Sequence, residues 1–243
     1  MPDCKVNYKM TPVYKNTTLL ISFFCLLAMV ACRKKELSST VDQTKIYQLL
    51  SLTYNYDSDY TSALARFYLN DINGSRLEMS QNSRVFYGST QLVSPVNRGT
   101  NYSHVFSGYV SGLNFDWNDT EGRHFINKAD IPAPIYAFTQ YTNSWSPTFG
   151  YDLEFNGDSI GVNEEVYLKI EVNQDTTFSI DITETSRGRT YVHIPSWEIE
   201  KLRSYSPSFY LIRRKIKNLD QSTTAGGRLE TSYMSNFGTL YVW

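Results

Sequence analysis

The stretch Thr61–Ser80, TSALARFYLNDINGSRLEMS, alternates and then turns. Ala63, Ala65, Phe67 and Leu69 are two residues apart, the period of a strand with one buried side. Asp71-Ile72-Asn73-Gly74 follows. Asn-Gly tolerates positive φ at both central positions and is the strongest short hairpin signal. Ser75–Ser80 then reads as the return strand.

The same style extends in both directions. Tyr56–Tyr60, YDSDY, reads as a turn. Ser83–Val93 gives a strand and a turn at Gly88, and Tyr102–Trp117 gives two more strands. Asn118–Arg123 is a turn, and His124–Ile131 closes the set. Pro132 and Pro134 break the pattern, because proline cannot serve a central strand. A domain boundary is expected there. Beyond it, Val166, Leu168, Ile170 and Val172 share one face, as do Phe178, Ile180 and Ile182. Thr190–Pro195, Ser208–Asn218 and Ser232–Trp243 read as further strands. Ser196–Arg203 is the one helical candidate, with Ser196 as N-cap, acids early and cations late. Short strands at this spacing predict an all-β chain of two tandem sandwiches with Greek-key connections. Their expected bounds are 46–131 and 132–243, with one short helix in the second.

Composition narrows the setting. The chain has 243 residues, is 41% apolar and carries a net charge of −1, so it has no electrostatic support for nucleic-acid binding. Its three cysteines are Cys4, Cys25 and Cys32, so the β-rich part has neither a disulfide nor thiol chemistry. Leu19–Ala31 is an apolar run of 13 residues behind a basic segment, with Met1 or Met10 as its start. A spanning helix needs about 20 residues, so the run fits a signal peptide over 1–31. Met29-Val30-Ala31-Cys32 resembles a bacterial lipobox. That resemblance implies cleavage before Cys32, acylation of its sulfur, and anchoring through the lipid. Arg33, Lys34 and Lys35 would lie against head groups, and 32–45 reads as a polar tether.

These features together resemble uncharacterised Bacteroidota cell-envelope lipoproteins with tandem immunoglobulin-like β-sandwich domains. The carrying stretches are the lipobox, Ala65–Gly88, Phe115–Phe125 and Val192–Leu202. The resemblance implies a bacterial envelope location at the outer membrane, facing either the periplasm or the surface. It implies no particular activity. Tyr136–Gly161 departs from the pattern, being aromatic, polar and hard to assign to strands.

Few residues suggest chemistry. His104, His124 and His193 lie in separate segments without metal-ligand spacing, so no metal or other cofactor is expected. Asp116–Gly122 lacks EF-hand spacing and reads as a turn. Arg213, Lys215 and Lys217 would share a strand face, of the kind that blocks edge-to-edge pairing or is simply solvated; the alternative is binding of an acidic partner. Tyr136, Tyr141, Trp145 and Tyr151 are candidate ligand-binding aromatics, since exposed rings stack on sugars and anchor interfaces; the alternative is packing at the inter-domain seam. Ser159 and Thr176 sit in Asp-Ser/Thr-apolar triplets that resemble Bacteroidota O-glycosylation sites. Two functions follow. The favoured one is a non-catalytic, membrane-anchored protein whose modules bind a protein or glycan partner or act as a spacer. The alternative is a glycan-directed envelope hydrolase with dispersed Asp and Glu.

Overall fold

The computed structural model describes residues 36–80, 82–94, 99–141, 148–173, 177–203 and 205–242. The leader over 1–31 and Cys32 lie outside the described residues. The strands are β1 (Glu36–Leu37), β2 (Ile46–Asn55), β3 (Tyr60–Leu69), β4 (Leu77–Glu78), β5 (Arg84–Tyr87), β6 (Thr90–Gln91), β7 (Tyr102–Ser107), β8 (Leu113–Asn118) and β9 (His124–Ala129). They continue as β10 (Ile135–Tyr136), β11 (Gln140–Tyr141), β12 (Tyr151–Glu154), β13 (Asn156–Gly157), β14 (Glu164–Asn173), β15 (Thr177–Glu184), β16 (Tyr191–Ile194), β17 (Ser208–Asn218), β18 (Gly227–Met234) and β19 (Gly238–Tyr241). One helix, α1 (Ser196–Leu202), follows β16. Among the described residues the structure is all-β with one short α-helix and two 3-10 turns, as the alternation predicts. No helix among the described residues is long and apolar enough to cross a membrane.

The first half forms two layers. β2, β3 and β7 make one, and the four-stranded sheet β6-β5-β8-β9 the other. Between them Phe67 of β3 meets Trp117 of β8 at 4.9 Å, and Tyr87 of β5 meets Phe106 of β7 at 5.7 Å. Trp117 is buried and also stacks on Phe125; its indole N–H donates to Ser83 Oγ at 2.9 Å. In the second half β14, β15, β17, β18 and β19 form the lower layer. The pair β12–β16 and helix α1 contribute Leu153, Val192, Ile194, Ile199 and Leu202 to the same buried core.

The two halves are not strung on a linker. Gly227–Met234 pairs in parallel with Gln48–Asn55, so β18 joins β2 and one sheet runs through both. The described residues fall in a single compact unit starting at Lys35. The last strand of the four-stranded sheet, β9, ends at Ala129. What joins the halves is a backbone ladder between strands about 180 residues apart, which local pattern does not announce.

Other local expectations shift. The Asp71–Gly74 turn exists, with Gly74 N–H donating to Asp71 O, but the positive φ falls at Asn70 rather than at Asn73-Gly74. The return strand is brief: Tyr68 bridges Arg76, and Leu77–Glu78 then pairs in parallel with Glu36–Leu37. Residues 36–45 are therefore docked rather than a free tether. Gln43 is buried and its side-chain amide donates to Ser38 O and Val41 O. Ser196 is the first helical residue, with Pro195 in the cap position and no side-chain cap. Asn118–Arg123 is a self-satisfied turn: buried Asp119 accepts the N–H groups of Glu121 and Arg123 and pairs with the Arg123 guanidinium at 2.6 Å. The basic strand β17 is interior, with β14 along one edge and β18 and β19 along the other, so it does not guard an edge.

Candidate functional site

The sequences YDLE of β12 and YVHI of β16 place alternate residues on opposite sides. Leu153 faces Val192 and both are buried. Asp152 therefore faces His193, and Glu154 faces Tyr191, on the side away from the core. These residues line an open groove of about 650 Å³ with Phe149, Gly150, Tyr151 and Arg189.

Each side chain is held. His193 Nδ1 lies 2.7 Å from Asp152 Oδ1, leaving the other ring nitrogen free of that contact. The Arg189 guanidinium lies over the Tyr191 ring at 5.1 Å and pairs with Glu184 at 2.6 Å. That pair holds the Arg189 charge firmly, raising its pKa. Burial opposes ionisation of Glu184, but Ser186 and Arg189 outweigh it, and the carboxyl titrates below its usual range. Tyr151 is half-buried; burial raises its phenol pKa, and its hydroxyl donates to Gln140 Oε1 at 3.1 Å. Gln140 in turn donates to Glu154 O and accepts from Glu154 N–H, pinning the end of β12.

Gly150 positions one end of the groove. Its φ is +85°, and a Cβ there would lie 2.2 Å from Ile194 O. That close crossing brings Gly150 against Ser196, so the exposed rings of Phe149 and Trp197 each sit one residue from it. They are 75% and 66% exposed, more than any other large apolar side chain among the described residues.

The groove thus offers apolar rings flanked by two carboxylates, an imidazole and a guanidinium. Aromatic surfaces with convergent polar groups suit a sugar, whose ring has apolar faces and a hydroxyl rim. Of the four candidate aromatics, Tyr151 lines the groove. Tyr136 lies elsewhere, edge-on to Tyr56 at 5.5 Å and to Tyr233 at 6.1 Å, where β2, β10 and β18 converge. It packs against those two rings and does not line the groove. Tyr141 ends β11, paired through its backbone with Tyr241 of β19. Trp145 and Thr176 lie outside the described residues. Ser159 is exposed in the loop between β13 and β14. Asp152, Glu154, Arg189, Tyr191 and His193 were not anticipated. Their alternation is readable, but nothing local says that 151–154 pairs with 191–194.

No family model and no curated protein matches the chain. Among solved structures it is similar to native alpha-2-macroglobulin from Escherichia coli spanning domains MG0-NIE-MG1, at 10% identity over 82% of this chain and 74% of that one. The TM-score is 0.20, too low to bear on fold or activity.

Proposed function

We propose that this chain is a lipid-anchored bacterial envelope protein, of the Bacteroidota lipoprotein kind, whose β-layers present the β12–β16 groove to a glycan. The observation that carries the binding half is the groove itself, with Tyr151, Tyr191 and Phe149 beside Asp152, Glu154, Arg189 and His193. The anchoring half rests on the lipobox-like Met29–Cys32. In sequence, Cys32 lies four residues before the first described strand, Glu36–Leu37.

The test is a glycan array followed by titration of the full chain with any neutral oligosaccharide retained. Tyr191→Ala and Asp152→Ala should each weaken binding by tenfold or more. An array without a hit, or variants that bind as well as the parent, would end the glycan reading. Labelling with palmitate, lost in Cys32→Ala, checks the anchor separately. The hydrolase reading is favoured by one observation, that Asp152, Glu154 and an Asp-held His193 share the groove. Release of new reducing ends by the parent, abolished in Asp152→Asn, would shift the assignment to it.

A further inference from the structure

A second site lies between the end of β9 and the paired strands β17 and β18. Along one side of β17 the residues are apolar at Phe209 and Leu211, then change to Arg213, Lys215 and Lys217. Lys215 pairs in register with Thr231, and Lys217 with Leu229, on β18. Above them stand Lys128 and Asp130, at the end of β9. Lys128, Asp130, Lys215, Lys217, Leu229 and Thr231 line a cleft of about 160 Å³.

We propose that this cleft binds an oxyanionic group, a phosphate or a carboxylate, carried by a small soluble ligand. Three cations line it against one carboxylate. Their existing partners are weak ones. Lys128 pairs with Asp130 at 3.2 Å, both well exposed, Lys217 pairs with exposed Asp220 at 2.9 Å, and Lys215 reaches the largely buried Glu164 only at 3.9 Å. Exposed pairs of this kind contribute little and exchange readily. Beside Lys215 on the same face lies Arg213, fully buried, with Nη2 donating to Asp158 O and with Nε and Nη1 lacking partners among the described residues. No carboxylate forms an ion pair with it among the described residues, although Glu164 and Asp158 act on its charge from further away. The floor is closed, with Leu229 and Thr231 almost wholly buried. A volume near five waters suits one anionic group rather than a whole sugar chain. The site is independent of the β12–β16 groove.

The test titrates the full chain with inorganic phosphate and, separately, with glucuronate, at constant ionic strength set by chloride. Saturable binding of one of them is expected, and that arm identifies the source. Lys215→Gln with Lys217→Gln should weaken it at least tenfold. Thr231→Val, which keeps every charge, should weaken it several-fold. Lys169→Gln, on the opposite face of the sheet, should leave it unchanged. The proposal fails if neither anion binds saturably, if Lys169→Gln matches the double variant, or if chloride competes equally. It fails too if only vesicles containing anionic lipid are bound, since that is a surface effect.

Discussion

Replacing Trp117 by alanine tests whether the shared sheet makes both halves fold as one. Trp117 is 1% exposed, packs on Phe67 and Phe125 at 4.9 Å each, and donates to Ser83 Oγ. Losing a buried tryptophan costs roughly 3–5 kcal/mol, from transfer and from the cavity left behind. Unfolding entropy is about 2.1 cal/mol/K per residue, so roughly 200 ordered residues give about 0.4 kcal/mol/K. The midpoint should therefore fall by about 10 °C. Independent modules would confine that loss to the first half. Here β18 bonds directly to β2, and β17, β14 and β15 follow in sequence across the sheet. The destabilisation should reach Val166–Val172, far from the substitution in sequence. Thermal melts by far-UV circular dichroism should show one transition, displaced as a whole. Amide exchange in β14 and β15 should speed up to match. Two transitions, with exchange in β14 and β15 unchanged, would refute the reasoning.

Three further outcomes are expected. Glu184 titrates below its usual range, so its contribution to stability is present above about pH 4.5 and is lost as pH falls through the folded value. Glu184→Gln should cost roughly 1–2 kcal/mol at neutral pH and almost nothing near pH 2, measured by urea melts at each pH. Gly150→Ala should destabilise by well over 2 kcal/mol, against about 1 kcal/mol for Gly122→Ala; both have positive φ, but only Gly150 has backbone within 3 Å of the new methyl. Equal losses would show that φ alone matters. Arg213→Met should leave the protein as stable as before, or up to about 2 kcal/mol more so, because desolvating an unpaired guanidinium outweighs one hydrogen bond and a cation–π contact with Phe155. A loss above 2 kcal/mol in its denaturation midpoint would contradict that balance.

Hairpins were readable because their information is local. Gly88 sits at φ +60° between β5 and β6, and Val166–Val172 alternates against Phe178–Ile182 in register. β2 was harder. Leu49 is buried on the face opposite Leu50 and Leu52, so the run Ile46–Asn55 loses its period-two signature. Pairing between distant strands left no trace in the pattern at all. The parallel ladder of β2 and β18 and the antiparallel pair β12–β16 both depend on which apolar faces meet in three dimensions. The groove inherits that opacity: Asp152 and His193 become neighbours only once their strands are paired.

The basic run on β17 shows how one sequence feature changes meaning with topology. On an edge strand, Arg213, Lys215 and Lys217 would point into water and repel a second chain. On an interior strand the same three side chains differ in cover: Arg213 is buried, Lys217 partly so, and Lys215 is exposed. Arg213 lies against Phe155 and is sealed from solvent, while Lys215 and Lys217 line the cleft. Burying a cation without an ion-pair partner is costly, and burial lowers its affinity for the proton. A sheet built for stability alone would continue Phe209 and Leu211 with apolar residues. The change from apolar to charged side chains along β17 falls at the cleft that Lys215 and Lys217 line with Lys128, Asp130, Leu229 and Thr231, where an anionic ligand would find both a floor and a counter-charge.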